Sequence, residues 1–256
     1  METGSNTFFD LKNINLYSLS VFLSKDGFSF AVFDECGKCV VNKSIIFSKS
    51  ASFDIGEAVE NIFYEYTFLK ENFQSVKIVF NVDKYTFVPE EFFLKELVEN
   101  YYTFNFDKLA DNESVFYCFS PINNIYTIFA FDTVYAEIAE KYFLNADFFA
   151  GISNFIDGVT DVAVGRNSVF ANVRNKSLDV VVFCNDKFTV ANTFHVNSEE
   201  DIVYFLLRAF YNYKLDGSKD LLIIYGDVDA QSQVVDKISY FVKNFVIDNE
   251  NNKRYL

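Results

Sequence analysis

Proline, glycine, tryptophan and positive charge are scarce in this 256-residue chain, which has 2 Pro, 9 Gly and no Trp. A chain so poor in Pro and Gly is not collagen-like, linker-rich or disordered. Four cysteines are too few for a disulfide scaffold. The 22 Lys and Arg against 36 Asp and Glu give a formal charge of −14, which repels nucleic acid from most of the surface. We therefore expect no nucleic-acid partner.

Long hydrophobic runs are also missing. The longest apolar segments, such as residues 180–184 and 221–225, fall far short of the ~18 residues that a membrane-crossing helix needs. The first residues carry Glu2 and Asp10 in place of the apolar core of a signal peptide. We therefore expect a cytoplasmic protein with no membrane partner.

Large aromatic side chains are abundant, with 33 Phe and 16 Tyr. Most of them are expected to fill the core, where Phe takes volume that Leu takes elsewhere. Phe8, Phe9, Phe104 and Phe106 lie outside the strongest periodic segments. If they form an exposed cluster, they indicate a surface for a partner.

Two segments of the chain have the same pattern. They read VFLSKDGFSFAVFDECGKCVVNKSIIF from Val21 and VFANVRNKSLDVVVFCNDKFTVANTFHV from Val169. Each contains three short β-rich runs joined by polar turns, which predicts a three-stranded antiparallel meander. An internal repeat at this scale indicates two related halves.

The segments that follow each meander match as well. Asp54 with Glu57, and Ser198 with Asp201, resemble capping boxes that begin a helix. A continuous apolar strand comes next in each half, and then a second helix. The strands are predicted at 76–82 and 221–225, and the second helices run from about Pro89 or Glu90 to 102 and over 231–244.

The residues between the halves predict strands at 115–119 and 125–131, a helix that Asp132 caps and that ends near 143, and a helical piece at 152–162. The sequence therefore predicts an α/β protein of two domains, each with a mixed sheet built on β-β-β-α-β-α. We place the domains at 12–150 and 151–256, with the boundary between about 145 and 167.

This order of elements resembles the ribonuclease H-like unit that actin, sugar kinases and heat-shock chaperone ATPases share. The chain also resembles, over nearly its whole length, a family of uncharacterised bacterial proteins with an actin-like ATPase fold. That likeness includes Thr86-Phe87-Val88-Pro89, which leads into Glu91-Phe92-Phe93. The resemblance implies two ribonuclease H-like domains that face each other across a nucleotide cleft.

Active proteins of this superfamily carry an Asp-x-Gly-Thr-like turn in the first hairpin of each half. Here Asp26 and Gly27 are adjacent and bulky Phe28 follows them, which is typical of a plain Asp-Gly hairpin turn. The second hairpin, residues 172–177, has neither Asp nor Gly. Both phosphate turns are therefore expected to be absent.

Active proteins of this superfamily also carry a Gly-Gly-like turn after the fourth strand of the second half, where the backbone approaches the adenosine base. At that position this chain has one glycine, Gly226, followed by Asp227. If the chain binds Mg²⁺-ATP, the residues to test are Asp26, Gly27, Gly226 and Asp227. Nucleases with the same fold place a metal-binding carboxylate on the first central strand. Residues 17–23 and 168–173 contain no Asp or Glu, which excludes that arrangement.

Cys36 and Cys39 have the spacing of half a zinc knuckle, but no second pair is present and we expect ordinary thiols. His195, the one histidine, is expected to be a strand residue with a local hydrogen bond. We therefore predict a catalytically silent actin-like protein that binds or scaffolds other proteins, with a second copy of itself or another protein as its partner. The alternative is a nucleotide-binding ATPase or kinase-like enzyme with degenerate phosphate motifs.

Overall fold

The computed structural model describes residues 11–24, 27–47, 54–106, 108–143, 146–174, 176–229 and 231–248. These residues form two compact units. The first unit comprises the described residues up to Phe119 together with Tyr126–Gly151, and the second comprises Ser120–Ile125 together with the described residues from Ile152 onward.

Strands and helices alternate along both units. In order up to Gly151, the strands are β1 (Ser18–Ser24), β2 (Gly27–Phe33), β3 (Cys39–Ile46), β4 (Ser75–Phe80), β5 (Tyr85–Pro89), β6 (Glu113–Ser120), β7 (Ile125–Asp132) and β8 (Asp147–Ala150). The helices among them are α1 (Ile55–Glu65), α2 (Val98–Asn105) and α3 (Thr133–Tyr142). The elements that follow are α4 (Gly151–Thr160), β9 (Ser168–Arg174), β10 (Ser177–Cys184), β11 (Lys187–His195), α5 (Glu199–Asn212), β12 (Leu221–Gly226), α6 (Gln233–Phe241) and β13 (Phe245–Ile247).

Each unit is built on a five-stranded mixed sheet. The strand orders are β3-β2-β1-β4-β8 and β11-β10-β9-β12-β13, so the two sheets share one topology. In each sheet the meander is antiparallel, and the following strand pairs in parallel with the first strand of the meander. The predicted fold class, mixed α/β on two such sheets, is confirmed. The edge strands β8 and β13 have no counterpart in the prediction.

Local sequence explains where the helices begin. The Asp54 carboxylate accepts hydrogen bonds from the backbone N–H groups of Gly56 and Glu57, which lack partners inside α1. Ser198 and Asp201 form a complete capping box at the start of α5. Both predicted helix starts are confirmed.

The helix predicted from about Pro89 to 102 is wrong in its first half. Glu90–Phe92 and Lys95–Leu97 are short 3₁₀ turns separated by extended residues, and α2 begins only at Val98. Between these turns the backbone of Phe93 is extended, and its ring stacks on Tyr126 with centroids 3.6 Å apart and planes 7° from parallel. The stacking holds Phe93 against β7 and so stabilises this interruption of the helix.

A third sheet belongs to this region, with the order β5-β7-β6. Its small core contains Val88 of β5, Ile128 of β7, and Val98 and Tyr102 of α2. Burial raises the pKa of the Tyr102 phenol, and the nearby charge of Glu113 adds to the shift. In the described ranges, every helix is too short or too polar to cross a lipid bilayer.

Candidate functional site

The first hairpin holds two of the candidate nucleotide-binding residues. Asp26 lies outside the described residues. Gly27 begins β2, and a Cβ there would lie 2.6 Å from the carbonyl oxygen of Ile45 on β3. Phe28 is 1% exposed, and its ring packs edge-on against Phe63 of α1. Gly27 therefore allows close strand pairing, and Phe28 belongs to the core of the first unit.

Gly226 and Asp227 lie where β12 ends. Gly226 has a φ of +94°, and a Cβ on it would lie 1.9 Å from the carbonyl oxygen of Val173 on β9. That same oxygen accepts a hydrogen bond of 2.8 Å from the backbone N–H of Asp227. Only glycine fits both the backbone conformation and this contact. The Asp227 side chain is exposed.

The second hairpin contains a buried ion pair that the sequence analysis missed. The side chain of Asp179 on β10 is 2% exposed, and its carboxylate lies 2.7 Å from the Arg174 guanidinium at the end of β9. The Thr193 hydroxyl on β11 donates a hydrogen bond of 2.7 Å to the same carboxylate. Asn172 adds a longer contact of 3.4 Å. The two strands on either side of β10 thus supply the partners of one carboxylate.

This arrangement decides how well the second hairpin fits Mg²⁺ and phosphate. Mg²⁺ needs carboxylate oxygens that are open to the ion, whereas both oxygens of Asp179 are engaged by side chains. The Val173 backbone fills the position that a Cβ on Gly226 would take. Asp179 therefore does not fit the part of a Mg²⁺ ligand, and the close contact of Gly226 is with the backbone of the protein itself.

Of the two closely spaced cysteines, Cys36 lies in the turn between β2 and β3, and Cys39 begins β3. Cys36 is exposed and Cys39 is partly buried, with its sulfur 3.3 Å from the carbonyl oxygen of Val41. Among the residues that the structure describes, no group of three His, Cys, Asp or Glu side chains is placed to hold a metal ion. His195 is exposed at the end of β11 and contacts the side chain of Asn197 at 3.2 Å.

A second polar cluster was also missed by sequence analysis. The Ser120 hydroxyl donates a hydrogen bond to Asp157 of α4, and Asn123 contacts Thr160 at 3.0 Å. These bonds hold the turn between β6 and β7 against α4. A serine nucleophile needs a neighbouring base such as histidine, and His195 contacts Asn197 instead. The cluster therefore has the partners of a structural contact.

Four exposed apolar side chains lie within the segment between β5 and β6. We call them the crossover surface: Phe92, Leu94, Leu97 and Phe104. Phe104 is 90% exposed and Phe92 is 64% exposed. Phe104 is thus exposed, as the hypothesis of a partner surface requires, whereas Phe106 packs against the core of the three-stranded sheet. Phe8 and Phe9 lie outside the described residues.

One tyrosine holds the backbone of this surface in place. The Tyr101 hydroxyl donates a 2.6 Å hydrogen bond to the carbonyl oxygen of Phe92 and accepts a 3.2 Å bond from the N–H of Leu94. Phe104 follows Tyr101 by three residues, which places the two on the same flank of α2. The backbone from Phe92 to Leu94 is therefore tied to α2, the helix that carries Phe104.

Residues 5–245 match the model of a family described as Protein of unknown function (DUF3822). The chain belongs to this family. No curated protein matches the sequence.

Known structures identify the fold of this family member. A Bacteroides thetaiotaomicron protein with an actin-like ATPase fold and unknown function is 24% identical, covers 97% of this chain and 98% of its own length, and has a TM-score of 0.83. A PilM-PilN type IV pilus biogenesis complex matches at 8% identity, with 93% of each chain covered and a TM-score of 0.59. The ethanolamine utilization protein EutJ from Carboxydothermus hydrogenoformans matches at 8% identity, with 93% of this chain and 87% of its own covered and a TM-score of 0.54. These likenesses show an actin-like ATPase fold, which confirms the predicted resemblance.

Proposed function

We propose that this chain is a protein-binding module built on an actin-like fold, and that the crossover surface is where a partner binds. The observation that carries the proposal is the exposure of Phe92 and Phe104, at 64% and 90%, beside two further exposed leucines. Clustered exposed apolar side chains are typical of interaction surfaces, and aromatic residues are common anchors there.

Two further observations support binding over catalysis. The carboxylate of Asp179 is engaged by Arg174 and Thr193, and the glycine at the end of β12 is explained by its contact with Val173. The same fold occurs in the PilM-PilN complex, which is itself an assembly of proteins. An actin-like fold is thus compatible with a role in protein assembly.

The first test measures nucleotide binding by thermal unfolding with and without Mg²⁺-ATP. A ligand at 100 times its Kd adds about 2.7 kcal/mol to the free energy of unfolding. We expect no change in Tm at millimolar nucleotide. An increase in Tm that is lost in Asp227→Ala would overturn the proposal in favour of an ATPase or kinase-like enzyme. Asp227→Ala keeps the backbone N–H that bonds to Val173, so the fold is preserved.

The second test compares the proteins that are recovered with the native chain and with Phe104→Ser. Tyr211→Ser is the matched control, because Tyr211 is 84% exposed on α5 in the other unit. We expect Phe104→Ser to lose a partner that Tyr211→Ser retains. Recovery of the same proteins by all three chains would contradict the proposal.

A further inference from the structure

Carboxylates border the crossover surface. Residues 90–99 contain four glutamates and one lysine, which gives 1 − 4 = −3. All five of these side chains are exposed, and within the described part of the chain none of the four carboxylates forms an ion pair: Glu90, Glu91, Glu96 and Glu99. The surface therefore combines apolar anchors with an unneutralised negative border.

This combination determines which partner is complementary to it. Apolar side chains of the partner would cover Phe92 and Phe104, and charged groups at the border of such a contact would meet carboxylates. Opposite charges at the border increase the association rate and select among partners, whereas like charges oppose the contact. The negative charge of the whole chain, −14, acts in the same direction over a longer range.

We propose that the crossover surface binds a short segment of a partner protein in which Lys or Arg residues alternate with apolar anchors. This inference rests on the proposed function and specifies the chemistry of the partner. The apolar anchors pack on Phe92, Leu94 and Phe104. The basic residues face the carboxylates at the border, including Glu91 and Glu96.

Two other occupants fit the charges less well. A second copy of the chain joined through the same surface would bring four carboxylates against four others. A membrane with anionic lipids presents negative headgroups to the same border. Both occupants would have to offset this repulsion. A basic segment is instead attracted by the carboxylates at the border.

The test uses three fluorescent synthetic peptides of equal length and full-length protein. The first peptide alternates Lys with Leu and Phe, the second has Glu in place of Lys, and the third has Ser in place of Leu and Phe. We expect the first to bind with a Kd at least about tenfold lower than either of the others. This difference would show that both the charge and the apolar anchors are needed.

Paired protein variants locate the binding. Phe92→Ser with Phe104→Ser should weaken the first peptide about tenfold or more, because aromatic anchors carry much of the energy of such contacts. Glu91→Gln with Glu96→Gln should weaken it about three- to tenfold, and less at high salt. Glu137→Gln with Glu140→Gln removes the same charge from the exposed side of α3 and should leave the Kd unchanged. Circular dichroism confirms that each variant is folded.

Several outcomes would overturn this inference. Equal binding of the Lys and Glu peptides would mean that the partner is not basic, and the proposed protein-binding function would stand. An equal effect of the Glu137 and Glu91 variant pairs would mean that the peptide senses only the overall charge. Self-association that Phe104→Ser abolishes, or binding to anionic vesicles but not to peptide, would replace the basic segment with a second copy or a lipid surface.

Discussion

The two five-stranded sheets share one strand order but fill their cores with different side chains. In the first unit Phe28 packs on Phe30 and Phe63, and Phe80 packs on four further phenylalanines. In the second unit the core on the side of α5 and α6 is mainly aliphatic, with Phe210 as its one buried aromatic member among the described residues and other aromatic side chains only partly buried against it. The comparison shows that the hydrophobic pattern and the connectivity of the strands set the topology. The core side chains only have to fill the available volume.

Strand register allows the two sheets to be compared position by position. Leu23 pairs with Phe80 in the first sheet, and Val173 pairs with Gly226 in the second. Both Leu23 and Val173 then accept a hydrogen bond from the residue that follows the parallel strand. The same backbone hydrogen bond is thus formed in both units. It follows the buried Phe80 in the first unit and Gly226, whose φ is positive, in the second.

The largest expected effect concerns the ion pair between Arg174 and Asp179 in the second hairpin. Arg174→Met leaves the buried Asp179 carboxylate without its counter-charge, and we expect a loss of about 3–5 kcal/mol of unfolding free energy. Arg174→Met with Asp179→Asn should cost much less, because no buried charge remains. Urea unfolding measures both variants.

The corresponding residue of the first unit is Ser29, which pairs with β1 and β3 as Asp179 pairs with β9 and β11. Ser29→Ala should change the free energy of unfolding by about 0.5 kcal/mol or less. If Arg174→Met costs no more than Ser29→Ala, the ion pair is not needed and this contrast between the units fails.

The next effect separates two reasons why a position requires glycine, a positive φ and a close backbone contact. Gly226 and Gly165 both have positive φ, but a Cβ would strike Val173 at Gly226 and would meet nothing within 4 Å at Gly165. Each Gly→Ala change carries a backbone cost of about 1–3 kcal/mol. Gly226→Ala should lose at least about 1 kcal/mol more, because the hydrogen bond to Asp227 must also move. Equal losses of unfolding free energy for the two variants, measured in urea, would show that the contact between Gly226 and the Val173 carbonyl does not contribute to stability.

A smaller effect tests whether the two cores are interchangeable. Phe28 and Leu178 occupy matching positions on β2 and β10. Phe28→Leu loses the edge contact with Phe63, worth about 0.5–1.5 kcal/mol beyond its area. Leu178→Phe overfills an aliphatic core and should cost about 1–3 kcal/mol. If neither change lowers the denaturation midpoint, either core accepts either side chain.

The smallest effect is a dependence of stability on pH that arises in the second unit, in the connection that precedes the parallel strand β12. In the first unit the corresponding connection is a 3₁₀ turn, Thr67–Lys70, whereas in the second unit Asp216 accepts hydrogen bonds from the hydroxyl and N–H of Ser218. Those bonds, with Lys219, lower the pKa of Asp216 from 3.8 to about 2. Because the folded pKa is the lower one, the stabilisation is complete above pH 3.8 and declines as the pH falls through about 2.

Titration of the Asp216 carboxyl signal by NMR should therefore give a midpoint near 2, and Ser218→Ala should raise that midpoint. An unchanged Asp216 midpoint in Ser218→Ala would show that Ser218 is not the cause.

Local signals in the sequence predicted much of the fold. Asp54, Asp132 and Ser198 all cap the helices that they were predicted to begin. Short edge strands escaped because β8 and β13 are too brief for a periodic pattern. The conformation of Phe93 also escaped, since it depends on Tyr126, a residue far along the chain.

The candidate site was harder to predict from the sequence. Gly226 was named as a candidate for nucleotide binding, and the structure places a backbone oxygen of the protein itself where its Cβ would lie. Asp179 was missed although a signal existed, because a charged residue within the apolar run of β10 implies a buried partner. That partner, Arg174, lies on the neighbouring strand and becomes visible only once the register is known.

The hydroxyl group of Tyr101 has a consequence for the kinetics of binding. It uses both its donor and its acceptor capacity on the backbone between Phe92 and Leu94, so this loop is already ordered before a partner arrives. If the crossover surface binds a partner as proposed, association would cost only the rotamer freedom of the exposed side chains, about 0.5–1.5 kcal/mol for each one that is immobilised. No loop would have to fold on contact, so diffusion and charge would set the rate of association.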